Sequence, residues 1–264
     1  MDEEKLQKVV DTCNVSACRS FPTIGSTNDE AQLWVDEGAA DFSLVIADEQ
    51  TKGRGRFNRH WVSKPGACLA FTLILKPNSF EKENLPLFAP LCGLAVRDAL
   101  AEVLGLEAEI KWPNDILIDR KKCCGILVEA VWTGDTLKGI VMGIGINISS
   151  DSLPPAGDSL FSPTCLEDVV NREVDRYQVF ESVLRHITQW RVKLKTKEFF
   201  DHWTDHLAFK GEQVMIVQSE KQSIIGNEKG IDQKGNLVLI VEDNEEMTFE
   251  VGDLHLRPVE SFEL

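Results

Sequence analysis

Apolar residues recur along the chain in distinct registers, and the register changes mark out the elements. The polar cluster at 26–30 opens a helix, with Thr27 as its expected cap, Glu30 three residues on reaching back, and Gly38 as the stop. Residues 43–47 (SLVIA) read as a buried strand, 48–66 as a polar, glycine-rich loop, and 67–75 (ACLAFTLIL) as a second buried strand. Pro86 and Pro90 fall in the first turn of a helix, where proline is tolerated, and Leu91, Ala95, Ala99 and Val103 continue its apolar stripe. Strands are expected at 108–112, 115–118, 125–131 and 137–146. The short polar pieces between the last three, 119–122 and 133–135, suit hairpin turns, which makes the stretch an antiparallel meander. Residues 149–174 look irregular. Helical spacing returns through Val179, Val183, Ile187, Trp190 and Leu194, within 176–207, with a break near Thr196. Past Gly211 the pattern shifts to short strands (QVMIV, NLVLIV, MTFEV) parted by Gly and Asp, as in a small closed β-module. Residues 1–20 carry little periodicity and are set apart as an extension. The expected organisation is therefore an extension at 1–20, a main domain at 21–208 and a β-module at 209–264.

Composition excludes several classes. With 43 % hydrophobic and 27 % charged residues, the chain reads as a soluble globular protein without repeats. No secretory leader is visible and no run of roughly 18 apolar residues occurs, so a cytoplasmic protein with no membrane contact is expected. Seven cysteines, including the adjacent Cys123 and Cys124 but no Cys-x-x-Cys, favour neither a disulfide framework nor a zinc ribbon. The net charge of −15 argues against general nucleic-acid binding, and residues 1–20 are too short for a helix-turn-helix, so no DNA partner is expected. Against this acidity, the stretch 51–66 holds five cations (Lys52, Arg54, Arg56, Arg59, Lys64) and no acid, which suggests one local anionic ligand.

The candidate chemistry lies in four segments. Gly53-Arg54-Gly55-Arg56, followed by Arg59 and closed by Trp61, combines backbone freedom with guanidinium forks that fit phosphate or carboxylate oxygens; the bland alternative is a solvated charge run. In Lys111-Trp112-Pro113-Asn114-Asp115, a lysine ends a buried strand, where it must face an anion or water; alternatively it is a snorkelling edge residue. Lys122, one hairpin later and followed by Gly125, can approach the same place, and two cations beside a basic loop suit nucleotide phosphates. Gly143-Ile144-Gly145-Ile146-Asn147 alternates small and large residues, and glycine inside a strand often marks close approach of a ligand or backbone; Asn147 has the groups to read a purine edge, or simply ends the strand. His202 and His206, one helical turn apart, read as a solvated face rather than a metal site, and no metal cluster is expected. P-loop and Gly-x-Ser-x-Gly motifs are missing.

Taken together, Ser26-Thr27-Asn28, Gln50 with the GRGR loop, KWPND at 111–115, KKCCGILVE at 121–129 and GIGIN at 143–147 resemble, in order and spacing, the biotin protein ligases. The resemblance spans about residues 21–259 and implies an α+β fold: a mixed, largely antiparallel sheet backed by helices, similar to the class II aminoacyl-tRNA synthetase core, with a C-terminal SH3-like β-barrel. It implies that Ser26, Thr27, Asn28 and Gln50 hold biotin together with Gly53, Arg54, Lys111, Gly125, Gly143 and Gly145. Arg56, Arg59, Trp61, Asn114, Lys122 and Asn147 would then serve the nucleotide, with Lys111, Arg54 and Arg56 carrying the chemistry. Phe57-Asn58-His60 departs from the Arg-Gly-rich loop of other members. The implied substrates are biotin and ATP with Mg2+; the implied partner is a biotin carboxyl carrier domain, and a homodimer is left open. The reaction would form biotinyl-5′-AMP and pass biotin to an acceptor lysine. Two other readings compete: a lipoate-type acyl-adenylate ligase, and a non-catalytic sensor of biotinyl-AMP. The polar trio Ser26, Thr27 and Gln50 favours a ureido group over a dithiolane.

Overall fold

The computed structural model describes residues 1–154, 161–219, 222–251 and 255–258. Seven α-helices and twelve strands are found among them: α1 (Glu3–Thr12), β1 (Ala17–Ile24), α2 (Thr27–Asp36), β2 (Ser43–Gln50), β3 (Cys68–Leu75), α3 (Ser79–Lys82), α4 (Phe88–Leu104), β4 (Glu109–Lys111), β5 (Asp115–Ile118), β6 (Lys121–Thr133), β7 (Thr136–Asn147), α5 (Leu166–Val170), α6 (Arg176–Val192), α7 (Lys197–Asp205), β8 (Gln213–Ser219), β9 (Gln222–Ile231), β10 (Leu237–Ile240), β11 (Glu246–Phe249) and β12 (His255–Pro258). The first seven strands form one sheet in the order β1-β2-β3-β7-β6-β5-β4, in which β1 and β2 run parallel and every other pair is antiparallel. The expected meander is thus present. Its β5–β6 turn carries positive φ at both Asp119 and Arg120, the conformation whose twist suits a two-residue hairpin.

Strand alternation divides the sheet into two faces. Leu44, Ile46, Phe71 and Leu73 point into the large core, where α4 and α6 pack; Phe71 and Phe180 of α6 meet at a centroid distance of 4.8 Å. Val45, Ile74 and Val141 point the other way and pack under α2 through Ala31 and Val35. Along β7 the same alternation sends Ile140, Met142, Ile144 and Ile146 to the large core. The intervening small residues are left on the α2 side, where the candidate site lies. Among the described residues no helix is long and apolar enough to cross a membrane.

Three expectations change. Residues 1–20 are not set apart: α1 packs on α6, and β1 joins the main sheet as an edge strand beside β2. The cap of α2 is Ser26, whose side chain accepts from the Asp29 amide, while Glu30 pairs with Arg19 instead of reaching back. His202 is half-buried rather than solvated, stacking on Trp190 and meeting Asp98 at 2.9 Å.

The second sheet, ordered β11-β10-β9-β8-β12, is antiparallel throughout and fits an SH3-like module. It is tied to the main sheet beside the KWPND segment: the Trp112 indole donates to the Gly235 carbonyl at 3.1 Å. Ala208, at the end of the connecting segment, donates to the Ile110 carbonyl at 3.0 Å. On β9, Glu228 is 1 % exposed, and neither carboxylate oxygen has a hydrogen-bond partner among the described residues. Burial pushes its carboxyl up to about 8 from the ordinary 4.5. The folded state therefore holds a proton that the unfolded chain releases between those values, and stability falls as pH rises through that window. Glu228→Gln removes this linkage. Its stability relative to the parent should be flat below about pH 4.5 and rise by about 1.4 kcal/mol per pH unit up to about pH 8, read from urea unfolding at several pH values. A pH-independent difference would contradict the assignment.

Candidate active site

The α2-side face of β6 and β7, with the loop after β2 arching over it, encloses a cavity of about 490 Å³. That is within the range of small-molecule sites. Fifteen of the sixteen sequence-predicted residues line it: Ser26, Thr27, Asn28, Gln50, Arg54, Arg56, Arg59, Trp61, Lys111, Asn114, Lys122, Gly125, Gly143, Gly145 and Asn147. Gly53 does not. A Cβ on Gly53 would stand 2.5 Å from the Trp61 carbonyl oxygen, so this glycine lets the loop close on itself, with Trp61 donating back to Gly53 at 2.9 Å.

The glycines of the floor make room for side chains. A Cβ on Gly143 would fall 2.2 Å from Asn28 Oδ1, and one on Gly145 or Gly125 would strike the Trp61 indole at 2.4 or 2.8 Å. The small-large alternation of GIGIN thus has a direct cause: the large residues fill the core, and the glycines seat an amide and an indole.

At one end of the cavity lies a buried polar cluster. Gln50 Oε1 accepts from the Thr27 amide at 2.8 Å, and Thr72, invisible as a site residue in the sequence, lies 2.8 Å from the Thr27 hydroxyl and 2.6 Å from Asn28 Oδ1. Ser26, Thr27, Asn28 and Thr72 are all buried. At the other end three short strands bring charges together. Asp115 on β5 sits between β4 and β6, with Lys122 Nζ at 2.6 Å and Lys111 Nζ at 3.5 Å. Burial depresses the Lys111 ammonium, a loss that Asp115 only partly offsets. Burial also opposes ionisation of Asp115, but Lys122 and Lys111 outweigh it and hold this carboxyl below its usual range. Lys111 further lies 5.0 Å from the Phe161 ring centroid, a cation–π contact from a segment with no pattern of its own.

The basic loop completes the enclosure. Arg54 and His60 pair as an isolated antiparallel bridge, Gly55 donates to the Arg59 carbonyl at 2.8 Å, and Phe57 at the turn has φ 58°. Arg56 Nη1 donates to Asn114 Oδ1 at 3.4 Å, while Asn114 Nδ2 is spent on the Ile126 carbonyl at 2.6 Å. Asn147 likewise donates to the Thr164 carbonyl at 3.0 Å, an ordering contact within the wall. The arrangement offers a polar, acceptor- and hydroxyl-rich pocket joined to a cationic one under an arginine loop.

The model of the biotin/lipoate A/B protein ligase family matches residues 21–147. The biotin--[acetyl-CoA-carboxylase] ligase of Paracoccus denitrificans is 32 % identical over 222 residues, covering 81 % of this chain and 90 % of that protein. The chain belongs to this ligase family. The bifunctional ligase/repressor BirA of Bacillus subtilis is 30 % identical over 230 residues, 84 % of this chain and 68 % of that relative. Among solved structures, the biotin protein ligase of Aquifex aeolicus in complex with biotin and ATP superposes with a TM-score of 0.79 at 29 % identity, covering 92 % of this chain and 99 % of that one. The family membership accounts for the seven-stranded sheet together with the C-terminal β-module.

Proposed function

We propose that this protein is an ATP-dependent biotin protein ligase that makes biotinyl-5′-AMP and transfers biotin to a lysine of a biotin carboxyl carrier domain. The observation that carries the reading is one cavity with two unlike ends: the polar Ser26, Thr27 and Gln50 cluster, and the Lys111, Asp115 and Lys122 group beneath the arginine loop. A ureido ring needs donors and acceptors that a dithiolane does not, which favours biotin over lipoate. Lys111 is suited to meet the biotin carboxylate and the α-phosphate, and Lys122, Arg56 and Arg59 the remaining phosphate charge. Positioning and charge neutralisation then lower the barrier to attack of the carboxylate on phosphorus. With the loop closed, water is kept from the mixed anhydride until the acceptor amine displaces AMP.

Magnesium would accompany the ATP phosphates. Among the described residues no group of three or more His, Cys, Asp or Glu is placed to hold a metal, and Asp115 is the one carboxylate among the lining residues. This suits an ion held mainly by its nucleotide, since both Asp115 oxygens already face Lys122 and Lys111. The net charge of −15 supports a protein partner rather than DNA.

Biotin-dependent exchange of labelled pyrophosphate into ATP is the deciding experiment. A ligase gives exchange with biotin and not with lipoate; exchange with lipoate alone, or binding of biotinyl-AMP without exchange, overturns the proposal. A related test concerns the loop. Arg56→Gly removes both the contact to Asn114 and the stacking of the guanidinium 4.9 Å from the Phe57 centroid, without touching the core. The adenylate should escape about 10-fold faster, for a lost charge-assisted contact, and label lysines on bystander proteins. Retention and acceptor selectivity equal to the parent would contradict the loop's assigned role.

A further inference from the structure

Arg54 is held in a fork of two carboxylates. Its Nη2 lies 2.6 Å from Asp29 Oδ1 on α2, and its Nη1 and Nη2 each lie 3.3 Å from an oxygen of Glu129 on β6. Glu129 has a second task. Its Oε2 accepts from Asn28 Nδ2 at 2.8 Å, while the Leu127 carbonyl takes the same amide at 3.2 Å.

Donor and acceptor counting extends this contact inward. Asn28 Oδ1 can only accept, so Thr72 gives its single hydroxyl proton there, and the Thr27 hydroxyl has both Thr72 at 2.8 Å and Gln50 Oε1 at 3.1 Å as acceptors for its own proton. From the polar end Thr72 donates to Asn28 and Asn28 to Glu129, while from the loop Arg54 donates to the same carboxylate, so Glu129 is the acceptor on which the two sides meet. Such networks hold their members in place. Neither Glu129 nor Asp29 lines the cavity, so neither is needed for direct contact with a ligand.

We propose that Glu129 is a positioning residue that ties the arginine loop, through Arg54, to the polar end of the pocket through Asn28, with Asp29 as the second prong. Resting on the biotin ligase reading above, this makes closure of the loop over the adenylate depend on the same side chains that order the ureido end. The Arg54 prongs are partly exposed, with side-chain exposures of 37 % for Arg54, 53 % for Asp29 and 28 % for Glu129, so their worth is modest and salt-dependent.

Glu129→Gln keeps an acceptor for Asn28 and removes the charge that holds Arg54. In ligand-free protein at low salt, tryptic cleavage after Arg59 should quicken about 5- to 10-fold, and release of biotinyl-AMP by a similar factor. Both differences should shrink at high salt. In an Arg54→Met background the same change should have no further effect on either readout, which a purely structural role for Glu129 would not produce. Asp29→Asn, on an exposed helix position, should give the same loop loosening and covers the case in which Glu129→Gln fails to fold. Unchanged cleavage and release in the folded variants, or additive effects with Arg54→Met, would overturn the proposal. If the parent gave no pyrophosphate exchange, the functional reading would fall while the cleavage measurement still judged the tie.

Discussion

Lys111→Ala is expected to slow biotinyl-adenylate formation by about 10- to 100-fold in single-turnover measurements with saturating biotin and ATP. The ammonium is 7 % exposed and shares Asp115 with Lys122, so the parent protein already meets the desolvation cost of a charge poised at the cavity wall. A carboxylate or phosphate arriving there gains a charge-assisted hydrogen bond worth about 1.5–3 kcal/mol, and each 1.4 kcal/mol or so is tenfold in rate. The fold should tolerate the change. Asp115 keeps Lys122 at 2.6 Å, and loss of a buried ammonium relieves burial as well as removing a partner, so the melting temperature should move little. Supplying preformed biotinyl-AMP should restore part of the transfer to the acceptor, because the main demand on Lys111 falls in the first step. A folded Lys111→Ala protein that forms the adenylate at the parental rate would remove Lys111 from the chemistry.

How much of this was legible beforehand depends on whether a residue's role follows from its own strand or from a neighbour's. The meander of β4 to β7 could be read because apolar runs and short polar turns alternate there, and GIGIN could be read because small and large residues take opposite faces. The convergence of Lys111 and Lys122 was likewise visible as one hairpin of separation. Asp115 sat in plain view within KWPND, yet its place between the two lysines depends on β5 lying between β4 and β6. β1 was missed because it is an edge strand with mostly half-exposed residues and Pro22 inside it, a pattern that does not separate strand from loop. In α1 only Leu6 and Val9 are buried, too little for a periodic signal. β9 (QSIIGNEKGI) is polar and glycine-bearing, and Glu228 on it gives no sign in the sequence that it will be buried with no hydrogen-bond partner among the described residues. Thr72 and Phe161 reach the site by tertiary packing alone. The cap of α2 failed for a local reason: Ser and Thr stand side by side, and the extended backbone falls at Ser26, one residue earlier.

Gly143→Ala should reduce biotin affinity by about 100-fold or more, the largest effect expected from adding a single methyl group. The added Cβ would stand 2.2 Å from Asn28 Oδ1 and 2.9 Å from Asn28 Cγ, which no relaxation of a few tenths of an ångström can absorb. Asn28 cannot simply rotate away. Its oxygen takes the Thr72 proton and its amide serves Glu129 and the Leu127 carbonyl, so displacing it orphans buried polar groups at about 1–3 kcal/mol each, on top of about 1–3 kcal/mol for overpacking. A total near 3 kcal/mol corresponds to roughly 100-fold. Calorimetric titration with biotin measures the loss, and Gly25→Ala is the matched control, since a Cβ there meets nothing within 4 Å and its φ is not positive. Shortening the obstructing side chain supplies the converse test. Adding Asn28→Ser to Gly143→Ala removes the clash, so if steric displacement is the cause the double variant should bind biotin better than Gly143→Ala alone, although Asn28→Ser by itself weakens binding. A Gly143→Ala protein within about threefold of the parent in affinity, or a double variant no better than it, would mean that the close approach of β7 to Asn28 does not shape the pocket.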